Sequence, residues 1–220
     1  MQLSVERFGL GNQARAGDWF GLRISLTDTS ARQRELIVRL QGVDADGDKP
    51  SSQVSLTSNP GLTQQVWLYA RLPFSSQQSS VAMSVHVHEA VESGDRGEPG
   101  AAGYRVGRMV ASLPVNPKAS SVVGPTVGLI AVVGPRGLGL QQYSDRAGMN
   151  APWHKIANEA TDIVTGLTPE ELPDRWMGLS AFEAIVWVDG DPAKLRGERA
   201  GALRDYVQRG GHLKIGRAHV

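Results

Sequence analysis

The sequence predicts an Ig-like β-sandwich followed by an α/β domain built on a parallel sheet. Short alternating segments with turn residues between them fill residues 1–114. The pattern changes at Val127, where the run to Val133 is apolar without interruption, as expected of a strand covered on both faces. Beyond it, strand-like and helix-like stretches alternate with short joints, the pattern of parallel strands joined by right-handed crossovers.

In the first domain, strands are expected at residues 3–8, 20–26, 36–40, 54–56, 66–72, 81–87 and 104–113. Seven short strands in this length suit a sandwich. In the third, Leu36, Val38 and Leu40 should face one way and Ile37 and Arg39 the other. Gly9-Leu10-Gly11-Asn12, Asp46-Gly47-Asp48 and Asn59-Pro60-Gly61 supply turns. Gly94, Gly97, Gly100 and Gly103 repeat every third residue, but so few triplets cannot hold a triple helix, and a hairpin loop is expected there. Residues 115–125, rich in Pro, Ser and small residues, suit a linker.

The second domain is expected over residues 126–214, with strands at 127–133, 162–167 and 184–188 and another opening at Leu213. Helix is expected after Gly139 and again over residues 195–209. The latter places Leu195, Leu203, Tyr206 and Val207 on one face, with Gly210 as its stop.

A net charge of +1 gives no concentrated basic field, so nucleic acid is not an expected partner. No apolar run approaches the ~18 residues of a membrane span. The absence of cysteine excludes disulfides, thiolate metal sites and a cysteine nucleophile within these residues. A protein or small-molecule partner is the remaining expectation, and no cofactor is implied.

Several clusters carry candidate chemistry. Gly134, Arg136 and Gly137 belong to a turn spaced G-x-x-G-x-G, which matches neither the dinucleotide fingerprint nor the phosphate loop, yet such a turn exposes backbone N–H groups that can hold an anion. Asp189 and Asp191 follow a strand's carboxyl end, where open α/β sheets place ligands. The simpler reading makes Asp189-Gly190 a turn and Asp191, ahead of Pro192, the cap of a short helix. Asp44, Asp46 and Asp48 resemble part of a calcium loop, but Lys49 and Ser55 stand where its glycine and glutamate belong, so a polar hairpin is expected.

His86 and His88 share a strand face, with Glu89 nearby, and would bind zinc or copper if a neighbouring strand supplied a third ligand. None is identifiable from the sequence, so no metal site is assigned and a solvated face is expected. Trp19, Trp67 and Tyr69 fit either a carbohydrate-stacking platform or sandwich packing, the second being favoured. His154, Glu159 and Asp162 have no nucleophile elbow beside them, and no catalytic residues are assigned.

Three stretches of the second domain carry a resemblance: Leu172-Pro173-Asp174-Arg175-Trp176-Met177-Gly178-Leu179, Ala184-Ile185-Val186-Trp187, and residues 202–213 with their Tyr206-Val207-Gln208-Arg209-Gly210-Gly211-His212-Leu213 ending. In the first domain it rests on Arg7-Phe8-Gly9-Leu10-Gly11, Ala16-Gly17-Asp18-Trp19 and Trp67-Leu68-Tyr69-Ala70-Arg71-Leu72-Pro73. Together they resemble a bacterial, planctomycete-type envelope family whose second domain is flavodoxin-like, of the class I glutamine amidotransferase-like kind. The resemblance implies an exported protein, periplasmic and membrane-anchored at full length through segments outside this chain. It implies a non-catalytic ligand- or partner-binding and assembly module. Alternatives are an amidotransferase-like hydrolase with its nucleophile beyond Leu213, and a carbohydrate-binding accessory protein.

Residues 215–220, Ile215-Gly216-Arg217-Ala218-His219-Val220, resemble the translation of a common sequencing-library adapter. The expectation is an artefactual end, with a strand edge left open at Leu213 and a fragment prone to associate. The start, where a strand opens almost at once, is expected to follow a secretory leader.

Overall fold

The computed structural model describes residues 1–42, 48–74, 82–92, 104–144 and 160–216. Asp44, Asp46, Gly94, Gly97, Gly100, Gly103, His154, Glu159, Arg217 and His219 therefore lie outside the described residues.

Thirteen strands are described, here numbered in chain order. They are β1 (Gln2–Phe8), β2 (Ala14–Arg15), β3 (Trp19–Thr27), β4 (Arg34–Gly42), β5 (Ser51–Ser58) and β6 (Thr63–Arg71). Next come β7 (Met83–Glu92), β8 (Tyr104–Val115) and the two-residue β9 (Val122–Val123). The last are β10 (Gly128–Val133), β11 (Thr161–Leu167), β12 (Ala184–Val188) and β13 (His212–Gly216), with helix α1 (Glu198–Gln208) before β13.

Two antiparallel sheets, ordered β1-β3-β6 and β5-β4-β7-β8, share one core. Leu22, Ile24, Leu26 and Leu68 come from the first, and Leu36, Val38, Leu40, Val85 and Val87 from the second. The alternation expected along β4 is present, but Ile37 on the outer face is buried as well. Asp28, immediately after β3, is fully buried. It accepts two hydrogen bonds of 2.9 Å from Arg34, one of 3.0 Å from the Ser30 N–H and one of 2.7 Å from the Ser58 hydroxyl.

The second half is a parallel sheet ordered β11-β10-β12-β13. The apolar run of β10 is buried on both faces. Leu129, Ala131 and Val133 join the core that receives Leu203 and Tyr206 of α1, while Val132 joins Ile163 and Val188 on the other side. Tyr206 donates to the Phe182 carbonyl at 2.9 Å, and burial pushes its phenol up to about 12.

α1 begins later than the spacing predicts. The 3-10 turn at Pro192–Lys194 closes at Leu195, whose N–H donates to the Pro192 carbonyl, and Gly197 at φ 60° is the residue from which the helix starts, so Leu195 stays outside it. Val207 is 41% exposed and does not belong to the buried face. Leu140–Tyr143 is a 3-10 turn, and the rest of the helix expected after Gly139 falls mostly outside the described residues. Among the described residues no helix is long and apolar enough to cross a membrane.

The segment expected as a linker is itself packed. Val122 and Val123 are buried and pair in parallel with Ala14 and Arg15. Val123 and Leu10 enter the core of the second half. Arg7 pairs with Glu171 at 2.5 Å and Arg15 with Glu183 at 3.1 Å across the same junction.

Trp67 and Tyr69 face away from the sandwich core and are nevertheless 9% and 6% exposed. The Tyr69 hydroxyl donates to Asp174 at 2.5 Å and accepts from the Asp174 and Arg175 N–H groups at 3.1 and 3.2 Å. Burial pushes the Tyr69 phenol far up, and the Asp174 carboxylate adds to the shift. Their burial removes the stacking platform: both rings pack close to Gly21, Tyr69 also to Gly178, and too little of either is open for a sugar to stack on. Tyr69→Phe leaves three polar groups without this partner and is expected to cost about 1–3 kcal/mol. Denaturant melts of wild type and variant check it, and an unchanged midpoint would remove Tyr69 as a tie between the halves.

Candidate functional site

The strand order β11-β10-β12-β13 places a topological switch between β10 and β12. The connection from β10 leads to β11 on one side, and the chain then returns to β12 on the other. Loops leaving the carboxyl ends at such a point diverge and leave a crevice between them. The crevice here is bounded by the turn after Val133 and the turn after Val188.

Gly134 forms its floor. Its N–H donates to the Leu167 carbonyl at the end of β11 at 2.7 Å. Its φ is +135°, and a Cβ added there would lie 1.7 Å from the Val188 carbonyl oxygen at the end of β12. The three strand ends therefore converge on a residue that only glycine can supply. Leu138 and Gly139 then adopt successive left-handed conformations, φ 49° and 68°, and turn the chain sharply into the 3-10 segment.

On the far wall, Asp189 is also left-handed at φ 53°. Asparagine and aspartate tolerate that region better than other side chains, at a residual cost. Trp187 holds the turn in place: its indole N–H donates to the Gly190 carbonyl at 2.9 Å. The ring also lies 2.9 Å from where a Gly190 Cβ would be. Arg136 reaches across the crevice to Asp189, Nε to Oδ2, at 3.7 Å, with the arginine side chain 61% exposed. Gly137 lies beside Thr165 without crowding.

Asp191 has the role that the simpler reading assigns it. Its carboxylate accepts from the Ala193 N–H at 2.9 Å and caps the turn that begins at Pro192. A cavity of about 730 Å³ opens next to it along β12 and β13, its lining including Trp187, Leu203 and Leu213 together with Asp189 and Asp191. Asp189 thus borders both this apolar hollow and the open pair with Arg136.

Of the candidate residues, the structure brings Gly134, Arg136 and Asp189 together, sets Gly137 on the same turn, and commits Asp191 to capping. His86 and His88 lie elsewhere, on the outer face of the second sheet, with ring centroids 6.3 Å apart. Trp187 is the participant that residue-type reasoning passes over. An indole two residues before an Asp-Gly turn is its only sequence signal. No protein-family model and no curated protein matches the chain.

Proposed function

We propose that the chain is a binding module of the bacterial cell envelope, an Ig-like sandwich joined to a flavodoxin-like sheet of the class I glutamine amidotransferase-like kind. Its ligand is an amino acid or the end of a peptide, taken at the crevice between β10 and β12. The strand orders support the finer fold. Three strands pack against four with β5 beside β4, and the parallel sheet runs second-first-third-fourth. The envelope location rests on the resemblance, with membrane attachment proposed through segments outside this chain.

The observation that carries the reading is the Arg136–Asp189 pair on strained turns at the switch point. At 3.7 Å and largely solvated it is a weak ion pair, worth at most about 1 kcal/mol, and is easily exchanged. A zwitterion offers each member a new partner, its carboxylate to Arg136 and its ammonium to Asp189. Its side chain then faces the apolar hollow. The crevice supplies charge and position, so binding is proposed and no reaction.

Titration with glutamine, followed by backbone amide spectra, tests this. Shifts are expected at Gly134, Gly137, Asp189 and Gly190, and Arg136→Ala should abolish them. Asp189→Gly separates binding from folding: it relieves a left-handed aspartate, so stability should stay within about 1 kcal/mol of wild type while binding is lost. Unperturbed spectra at millimolar glutamine and glutamate would overturn the ligand class. Ammonia release would replace binding with hydrolysis.

A further inference from the structure

We propose that His86, His88 and Met109 form a site for a soft monovalent metal ion, copper(I) or its redox-silent analogue silver(I), on the outer face of the second sheet. The site is separate from the β10–β12 crevice. Among the described residues no three His, Cys, Asp or Glu side chains cluster as ligands. The third donor here is a thioether.

Met109 reaches the histidines because of an irregularity in the β7–β8 ladder. The register passes from Val87↔Ala111 directly to His88↔Met109, so Val110 is the extra residue of a bulge. A second shift follows between His88 and Ala90. Bulges re-aim side chains, and this one turns Met109 onto the histidine face. Its sulfur lies 3.3 Å from His86 Nδ1 and the side chain is exposed, so an ion can reach it from solvent.

Each imidazole has its other nitrogen engaged. His86 Nε2 meets the Ser84 hydroxyl at 2.6 Å, and His88 Nδ1 meets the Gly107 carbonyl at 3.1 Å. That is the outer-shell arrangement of ligating histidines, which fixes ring orientation and tautomer. It leaves His86 Nδ1 beside the sulfur and His88 Nε2 as the two nitrogen donors. With bonds of about 2.0 Å to nitrogen and about 2.3 Å to sulfur, the 3.3 Å gap between Nδ1 and Sδ subtends about 100° at an ion, an angle typical of three- or four-coordination. The 6.3 Å between ring centroids is close to the full span of two imidazoles on one ion, about 3.2 Å on each side, so the two nitrogens would stand nearly opposite each other with the sulfur to one side.

The charges select the ion. All three donors are neutral, and Arg39 pairs directly opposite His86 in the ladder. A divalent cation would meet this positive neighbour, while Glu89, the carboxylate next to His88, is already engaged by Arg34 and Arg108, and hard ions have no use for a thioether. A soft monovalent ion fits both conditions.

Silver(I) titrated into the whole chain should shift the Met109 methyl and the imidazole nitrogens of His86 and His88, with one ion per chain at this site. Copper(I) affinity, measured anaerobically against a chromophoric chelator, should fall more than about 10-fold in Met109→Leu and in His88→Gln. Met109→Leu preserves volume on an exposed position, so its melting temperature should match wild type and serves as the folding control. Two results would overturn the proposal: a Met109 methyl that stays still while silver binds elsewhere, or equal copper(I) affinity in wild type and Met109→Leu.

Discussion

Asp28→Ala is expected to lower the melting temperature of the sandwich by about 6–12 °C, the equivalent of about 3 kcal/mol in a chain of this size. The carboxylate is fully buried and accepts four hydrogen bonds, two of them from the Arg34 fork. Removing it strands part of that guanidinium and the Ser30 N–H. Arg34 keeps Glu89 at 2.7 Å and remains about one quarter exposed, which holds the cost to the lower end for a broken buried pair. The Arg34 guanidinium holds the Asp28 carboxyl well below the usual carboxylate range; burial opposes the shift, and the Ser30 and Ser58 hydrogen bonds add to it. The unfolded chain therefore binds the proton first. The stabilisation is complete above an ordinary carboxylate pKa near 3.9 and is lost as pH falls below it towards the folded value. Asp28→Asn should both lower stability at pH 7, since its amide N–H faces the Arg34 donors, and flatten the acid limb. Melts from pH 7 to pH 2 check both, and a variant with the wild-type acid slope would remove Asp28 as the acid-sensitive group.

Elements governed by local rules were legible in the sequence. The buried run of β10, the strand Ala184–Val188, the stop at Gly210 and the cap at Asp191 all follow from residue type and immediate neighbours. What escaped depends on contacts remote in sequence or on a shift of register. The Tyr69–Asp174 tie joins residues 105 positions apart, and nothing in either neighbourhood announces the other. Met109 was passed over because strict alternation opposite His88 selects Val110, and only the bulge exchanges the two. Leu195 was misplaced because it caps the preceding 3-10 turn, and the helix starts only after Gly197, whose positive φ breaks the expected run. At the crevice the residue types were visible, but the sequence does not say that β12, and not β11, lies across from the glycine turn. That follows from strand order, which forms only when the sheet assembles.

Three glycine substitutions in one turn should separate strand convergence from simple backbone strain, and Gly134→Ala should be the most damaging by a wide margin. Gly137 has an ordinary φ and its Cβ would meet Thr165 at 3.6 Å, so Gly137→Ala is expected to be close to neutral. Gly139 is left-handed at φ 68° and its Cβ would make only an ordinary contact with the Gln142 side chain at 3.6 Å, so alanine there carries only the left-handed penalty, about 1–2 kcal/mol. Gly134 combines φ +135° with a carbonyl 1.7 Å from the new Cβ. Neither partner is a flexible side chain: Val188 belongs to the central strand pairing, and the Gly134 N–H is tied to Leu167 at 2.7 Å. Relief requires the ends of β10 and β12 to part, which breaks that hydrogen bond and unseats the turn bearing Asp189 and Gly190. Backbone strain and overpacking together are expected to cost about 3–5 kcal/mol. The amide signals of Asp189 and Gly190 should move in Gly134→Ala and stay in place in Gly137→Ala. Thermal melts and amide spectra of the three variants decide it. Equal losses in all three would mean that the strand ends do not meet at Gly134, and the crevice between β10 and β12 would lose its floor.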